Sequence, residues 1–271
     1  MDIKKSMEAI KTEKKQKKHI TLKFDLDPSK PSENQRNSSK ENYEKIKKMR
    51  VGKVAPADLY GSRLQFNSQD PKDVQGFQIL TSLLLCAQTK DHITDMVMKR
   101  MLAKGLNVEF INNLEFTELK NLIHEVNFNN VKAKNLKKLS ITLKNSYDGK
   151  IPKKYEEILK LPGIGPKMAI LFMKFHWNEV VGLSVDTHIH RISNILRWTK
   201  TKNAEDTRKE LEKMFDKELW VEVNDNVVGF GQTICLPKNP KCNECLLNDS
   251  CPEGLKNLKK MDLKSKKIKK L

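Results

Sequence analysis

Leu161-Pro162-Gly163-Ile164-Gly165-Pro166-Lys167, with Val185-Asp186-Thr187-His188 a short way downstream, is the stretch on which the reading of this chain turns. Gly163 and Gly165 flank one apolar residue, an arrangement suited to a tight turn that needs a positive φ or a close backbone approach. Pro166 falls where a helix begins, at the position that tolerates a missing N–H. The run Lys167-Met168-Ala169-Ile170-Leu171-Phe172-Met173 is a good helix former, and 155–161 also reads as helix. The expected unit is helix, glycine hairpin, helix. Its free backbone N–H groups make an anion site.

Lys167 lies in the first turn of the second helix, where the positive end of the helix dipole disfavours a second positive charge. An amine so placed is expected to give up its proton more readily than an exposed one, as a nucleophilic lysine requires. Asp186 follows the apolar run 180–185 and precedes a helix over 187–198, which makes it a natural N-cap. Position alone also fits plainer roles. Most of the 52 basic residues of this chain must be solvated, and an aspartate before a helix is commonly only a cap.

Composition narrows the classes. A chain of 271 residues can hold one large domain or two small lobes with a real core. The net charge of +18 favours a polyanionic partner, nucleic acid before anionic membrane. No apolar run reaches the length of a membrane span, and no secretory signal is visible. Five cysteines, four of them crowded together, argue against a secreted disulfide scaffold.

Residues 1–42 are lysine-rich and polar, and read as a disordered basic arm. Lys14-Lys15-Gln16-Lys17-Lys18 within it is a nuclear address, a phosphate-binding tail or simply solvated charge. Helical spacing is expected over 76–86, 92–104 (stopping at Gly105), 116–126, 131–147, 203–215 and 217–228. Ala87-Gln88-Thr89-Lys90-Asp91 interrupts two buried helices, a good place for a probing side chain or merely for a cap. Phe128 is an apolar residue in the polar turn 126–130. His188 and His190 have no metal-ligand company, and Arg191 is a candidate to reach a phosphate or a carboxylate. Cys235, Cys242, Cys245 and Cys251, spaced by six, two and five residues, are strong evidence for a tetrathiolate site; chemistry alone leaves zinc and a four-iron cluster open. Lys238 and Lys241, between the first two ligands, are candidates to meet phosphates. Cys86, in an apolar helix, reads as an inert core thiol. Residues 253–271 form a second basic tail.

The hairpin, Val185-Asp186-Thr187-His188, Gln88-Thr89-Lys90-Asp91 and the four spaced cysteines together resemble the helix-hairpin-helix DNA glycosylases. Within these they resemble endonuclease III in its eukaryotic form, over about 43–252. The resemblance implies an all-α fold of two helical lobes, 69–181 ending in the hairpin pair and 43–68 plus 182–252 carrying a [4Fe-4S] cluster on the four cysteines. It implies Lys167 as nucleophile and Asp186 as its partner carboxylate, and His188 beside the lesion pocket. Gln88 resembles the residue that enters the duplex where a base has left. Phe128 resembles the wedge, in a loop where Asn127 replaces the family's usual glycine. The implied activity is that of a DNA glycosylase and abasic-site lyase in base excision repair. Its partner is double-stranded DNA with oxidised pyrimidines or abasic sites, and it works as a monomer in the nucleus and also the mitochondrion. The rivals are an adenine glycosylase of the same superfamily, disfavoured by Lys167 and the short end past Cys251, a DNA-binding module without catalysis, and an electron-transfer ferredoxin.

Overall fold

The computed structural model describes residues 31–268, with side chains through 262. The arm over 1–30, including the lysine run at 14–18, lies outside the described residues, as do the side chains of the lysine run at 264–270. Every regular element among the described residues is helical. In order they are α1 (Glu33–Arg50), α2 (Pro56–Tyr60), α3 (Lys72–Cys86), α4 (Asp91–Ala103), α5 (Val108–Asn113), α6 (Phe116–Leu122), α7 (Asn129–Tyr147), α8 (Tyr155–Leu159), α9 (Pro166–Phe172), α10 (Thr187–Ile195), α11 (Ala204–Met214), α12 (Trp220–Thr233) and α13 (Pro252–Ile268). No helix among the described residues is long and apolar enough to cross a membrane.

The apolar residues fall into two cores. The first gathers Phe77, Leu80, Leu83, Val97, Met101, Leu119, Leu136, Leu143, Ile158 and Phe172 from α3 to α9. The second gathers Tyr43, Ile46, Leu183, Ile189, Ile192, Trp198, Leu211, Phe215, Val227 and Phe230 from α1 and from α10 to α12. Each such side chain contributes roughly 1.5–3 kcal/mol on leaving water. In the first core α3 is central, packing on α4, α7 and α9. In the second, α12 packs on α1 and α10.

Two of the expected tails are partly helix. α1 begins inside the stretch read as a disordered arm. Ser32 caps it, its Oγ accepting from the Gln35 N–H at 3.2 Å. Gln35 Nε2 donates to the Trp198 carbonyl at 3.0 Å, and Ser39 is buried against Met214. These polar contacts are tertiary, so an apolar-periodicity reading does not register them. Residues 252–268, most of the second tail, are α13, whose Asn257 Nδ2 donates to Cys242 Sγ at 3.4 Å. The expected helix over 116–126 stops at Leu122, and a turn leads into Phe128.

Candidate active site

The hairpin is built from its punctuation residues. The Ile164 N–H donates to the Leu161 carbonyl at 3.1 Å, and Gly163 has φ +81°. Proline second and glycine third is the residue order of a type II turn. A Cβ at Gly163 would also stand 2.9 Å from the Asn135 side chain. Gly165 differs: it is the N-cap of α9 in an extended conformation open to any residue, and a Cβ there would meet nothing within 4 Å. The space beside it is open. Pro166 opens α9 and Lys167 follows in the first turn, exposed to solvent.

Asp186 is the N-cap of α10. Its Oδ1 accepts from the Ile189 N–H at 2.8 Å, while Leu183 and Val185 just before it are buried in the second core. The cap fixes one carboxylate oxygen and leaves the other for a second partner. Lys167, on a helix of the first core, and Asp186, at the edge of the second, line one cleft of about 990 Å³. They also share an adjoining cavity of about 140 Å³ with Asp91, Asn224, Asp225 and Gln232. Burial pushes the Asp225 carboxyl up. His188 is in the cleft wall. Burial lowers its imidazole, the positive charges of Arg191 and Lys167 lower it further, and Asp186 and Asp91 oppose them.

Gln88 lines the same cleft, exposed at φ +54° in the bend between α3 and α4. Phe128 precedes α7 at φ +57° with 62% of its surface exposed, so it is not folded back on the core. Arg191, expected to reach a phosphate or a carboxylate, instead donates to the Cys235 carbonyl at 2.6 Å and to Cys235 Sγ at 3.5 Å. Its guanidinium is bound to the cysteine loop because α10 packs directly against α12, which ends at that loop. Lys238 and Lys241 are exposed on the loop.

Cys235, Cys242, Cys245 and Cys251 are free thiols that line one cavity of about 380 Å³. Burial pushes the Cys235 thiol up and the Cys245 thiol up to about 11. No three His, Cys, Asp or Glu side chains among the described residues converge closely enough to hold a single ion. Cys86 is half-buried rather than in the core, and lines the cleft beside Lys167.

Three residues of this region had no role in the reading of the sequence. Asp91 lines both cavities. Gln232 accepts from the Ala57 N–H at 3.0 Å and donates to Asp91 at 3.1 Å. Lys132 is buried behind Gln88. Its signal was available: it lies on the apolar stripe of α7 with Leu136, Leu139 and Leu143.

An all-helical fold in which a glycine hairpin offers an amine to a cleft is that of the helix-hairpin-helix proteins. Residues 81–217 match the HhH-GPD superfamily of base excision DNA repair proteins. Endonuclease III-like protein 1 of Gallus gallus is 44% identical over 211 residues, covering 77% of this chain and 75% of that protein. The endonuclease III homolog of Schizosaccharomyces pombe is 41% identical over 244 residues, covering 88% and 67%. A trapped endonuclease III–DNA covalent intermediate superposes with a TM-score of 0.72 at 25% identity, over 82% of this chain and 98% of that one. The chain belongs to the endonuclease III family within the HhH-GPD superfamily of base excision DNA repair proteins.

Proposed function

We propose that the chain is a bifunctional DNA glycosylase and abasic-site lyase that excises oxidised pyrimidines, with Lys167 as nucleophile and Asp186 as its carboxylate partner. The observation that carries this is one cleft lined by both side chains, Lys167 from a helix of the first core and Asp186 from the edge of the second. The hairpin N–H groups hold a backbone phosphate, fixing register without reading sequence; the bare Gly165 lets it come close. The damaged nucleotide rotates out of the stack, at lower cost than a sound one because damage weakens pairing and stacking. Gln88 and Phe128 occupy the space it leaves.

The free-base form of Lys167 then attacks. Its nitrogen lone pair bonds to C1′ as the C1′–N bond to the base breaks; the base departs with that electron pair and takes up a proton. Asp186 stabilises the positive charge developing on the sugar and receives the amine's proton. The nitrogen lone pair then forms the C1′=N bond of the imine as the C1′–O4′ bond breaks, and O4′ keeps that electron pair and takes up a proton. Loss of the C2′ proton leaves its electron pair as a C2′–C3′ double bond, and the 3′ phosphate departs with the C3′–O pair, which cuts the strand. Water hydrolyses the imine and restores Lys167.

Cys235, Cys242, Cys245 and Cys251 would hold a [4Fe-4S] cluster. The four thiols line one cavity, which supports a shared group, and the family to which the chain belongs favours the cluster over zinc. Bound there, it supplies a covalent staple for the loop that carries Lys238 and Lys241, and α13 with Asn257 closes the site. The lobe division at 69–181 and 43–68 plus 182–252 is supported by the two cores. The eukaryotic relatives, among them a chloroplastic homolog in Arabidopsis thaliana, support a nuclear or organellar location.

Duplexes carrying single defined lesions, scored separately for base release and strand nicking, test this reading. Release of an oxidised pyrimidine followed by a nick is expected. Binding without either product would leave the non-catalytic docking reading, and release of adenine without a nick would leave the adenine glycosylase.

A further inference from the structure

Lys132 is a buried amine to which the chemistry above gives no task. It is 6% exposed, on the apolar stripe of α7, and burial lowers its ammonium to about 8. Its Nζ donates to the Leu85 carbonyl at 2.7 Å, the Ala87 carbonyl at 2.6 Å and Thr89 Oγ1 at 2.8 Å. Those carbonyls close the C-terminal end of α3, where unpaired acceptors and the helix dipole both favour a cation. Thr89 Oγ1 accepts a second bond, from the Asn127 N–H at 3.2 Å, and Asn127 Nδ2 donates to the Gln88 carbonyl at 2.5 Å. One continuous network therefore joins the bend that presents Gln88 to the turn that presents Phe128. Both presented residues hold a left-handed backbone without being glycine. Such conformations are strained for residues with a side chain and persist where neighbours enforce them. Asn127 ties the two bends together through its side-chain bond to the Gln88 carbonyl.

We propose that Lys132, with Asn127, is a positioning residue that fuses these two bends into one clamp. The clamp carries Gln88 and Phe128 to the duplex as a unit. Rigid presentation removes ordering cost at the moment of insertion. The clamp is therefore needed where a base must be turned out of a duplex. It is dispensable where the sugar is already accessible to Lys167. This rests on the roles given to Gln88, Phe128 and Lys167 above.

The test compares two substrates: a duplex with one thymine glycol, scored for base release in a single turnover, and single-stranded DNA with one abasic site, scored for borohydride-trapped complex. Lys132→Met keeps the aliphatic stem and removes the ammonium; its base release should fall about tenfold or more, the order expected when reacting groups are misplaced. Asn127→Ala, at an exposed turn where folding is not at risk, should show a smaller fall. Phe128→Ala should fall likewise. Trapping on the single strand should stay at the wild-type level for Lys132→Met and Asn127→Ala. A proportional loss on both substrates would reduce the network to general support of the fold and overturn the clamp. Unchanged base release in Asn127→Ala, with Lys132→Met either unchanged or unfolded, would overturn it too. Wild-type protein inert on both substrates would overturn the proposed function, and the clamp with it.

Discussion

Gly163 and Gly165 stand two residues apart and have different reasons to be glycine. Gly163 needs its positive φ, and a Cβ there would press on Asn135. Gly163→Ala should therefore destabilise the protein by about 1–2 kcal/mol, the cost of left-handed backbone for an L residue, read as a lower denaturation midpoint. Gly165 needs neither, so Gly165→Ala should leave that midpoint unchanged and weaken duplex binding. Equal effects on stability would remove the argument for a phosphate against the hairpin. At Asp186, replacement by Asn keeps an N-cap acceptor for the Ile189 N–H and removes the charge. Turnover should fall far more than DNA affinity. A matched loss in both would mark Asp186 as a cap alone. The hairpin and the cap were legible in the sequence because glycine, proline and N-cap aspartate act through their own backbone. The place of Lys132 on the apolar stripe of α7 was legible too, but its partners and those of Arg191 were not. A long cation's partners are fixed by tertiary packing, and Arg191 turned toward Cys235 where a phosphate or carboxylate was expected.

Among the elements, the turn between α6 and α7 presents Phe128, and Arg100 of α4 holds that turn. Its Nη1 and Nη2 donate to the two Glu125 carboxylate oxygens at 2.8 and 2.5 Å, and Nη2 also donates to the Leu122 carbonyl at 2.6 Å. The Arg100 hydrogen bonds hold the Glu125 carboxyl down from 4.5 to about 2, against an opposing effect of burial. The folded group is the stronger acid, so its stabilisation is complete above 4.5 and is lost as pH falls through 2. Glu125→Gln should flatten the pH dependence of the urea midpoint across that window. Unchanged slope would show that the ion pair is not linked to folding. The same scale explains α1. Its first half buries little apolar surface and is held by Gln35, Ser39 and the Ser32 cap, so its sequence resembles a disordered arm. The long helices α3, α4 and α7 carry an apolar side to the first core over their whole length, and were legible within a few residues.

At the scale of the molecule, two cores meet along a cleft, and the cysteine loop closes the end of the second. A cluster on Cys235, Cys242, Cys245 and Cys251 predicts a coloured protein with about four irons per chain; a colourless protein loaded with zinc would contradict it. The charge of +18 predicts duplex affinity that falls steeply with added salt. Lys238→Ala with Lys241→Ala should reduce that slope, and an unchanged slope would take the loop out of the interface.

The central claim is that one amine performs both the base release and the nick. Protein incubated with a duplex carrying a single abasic site, reduced with borohydride and digested, reveals the linked residue by mass spectrometry. The account predicts the adduct on Lys167, and no adduct in Lys167→Gln protein that remains folded. An adduct on another amine, or undiminished trapping by that variant, would contradict it.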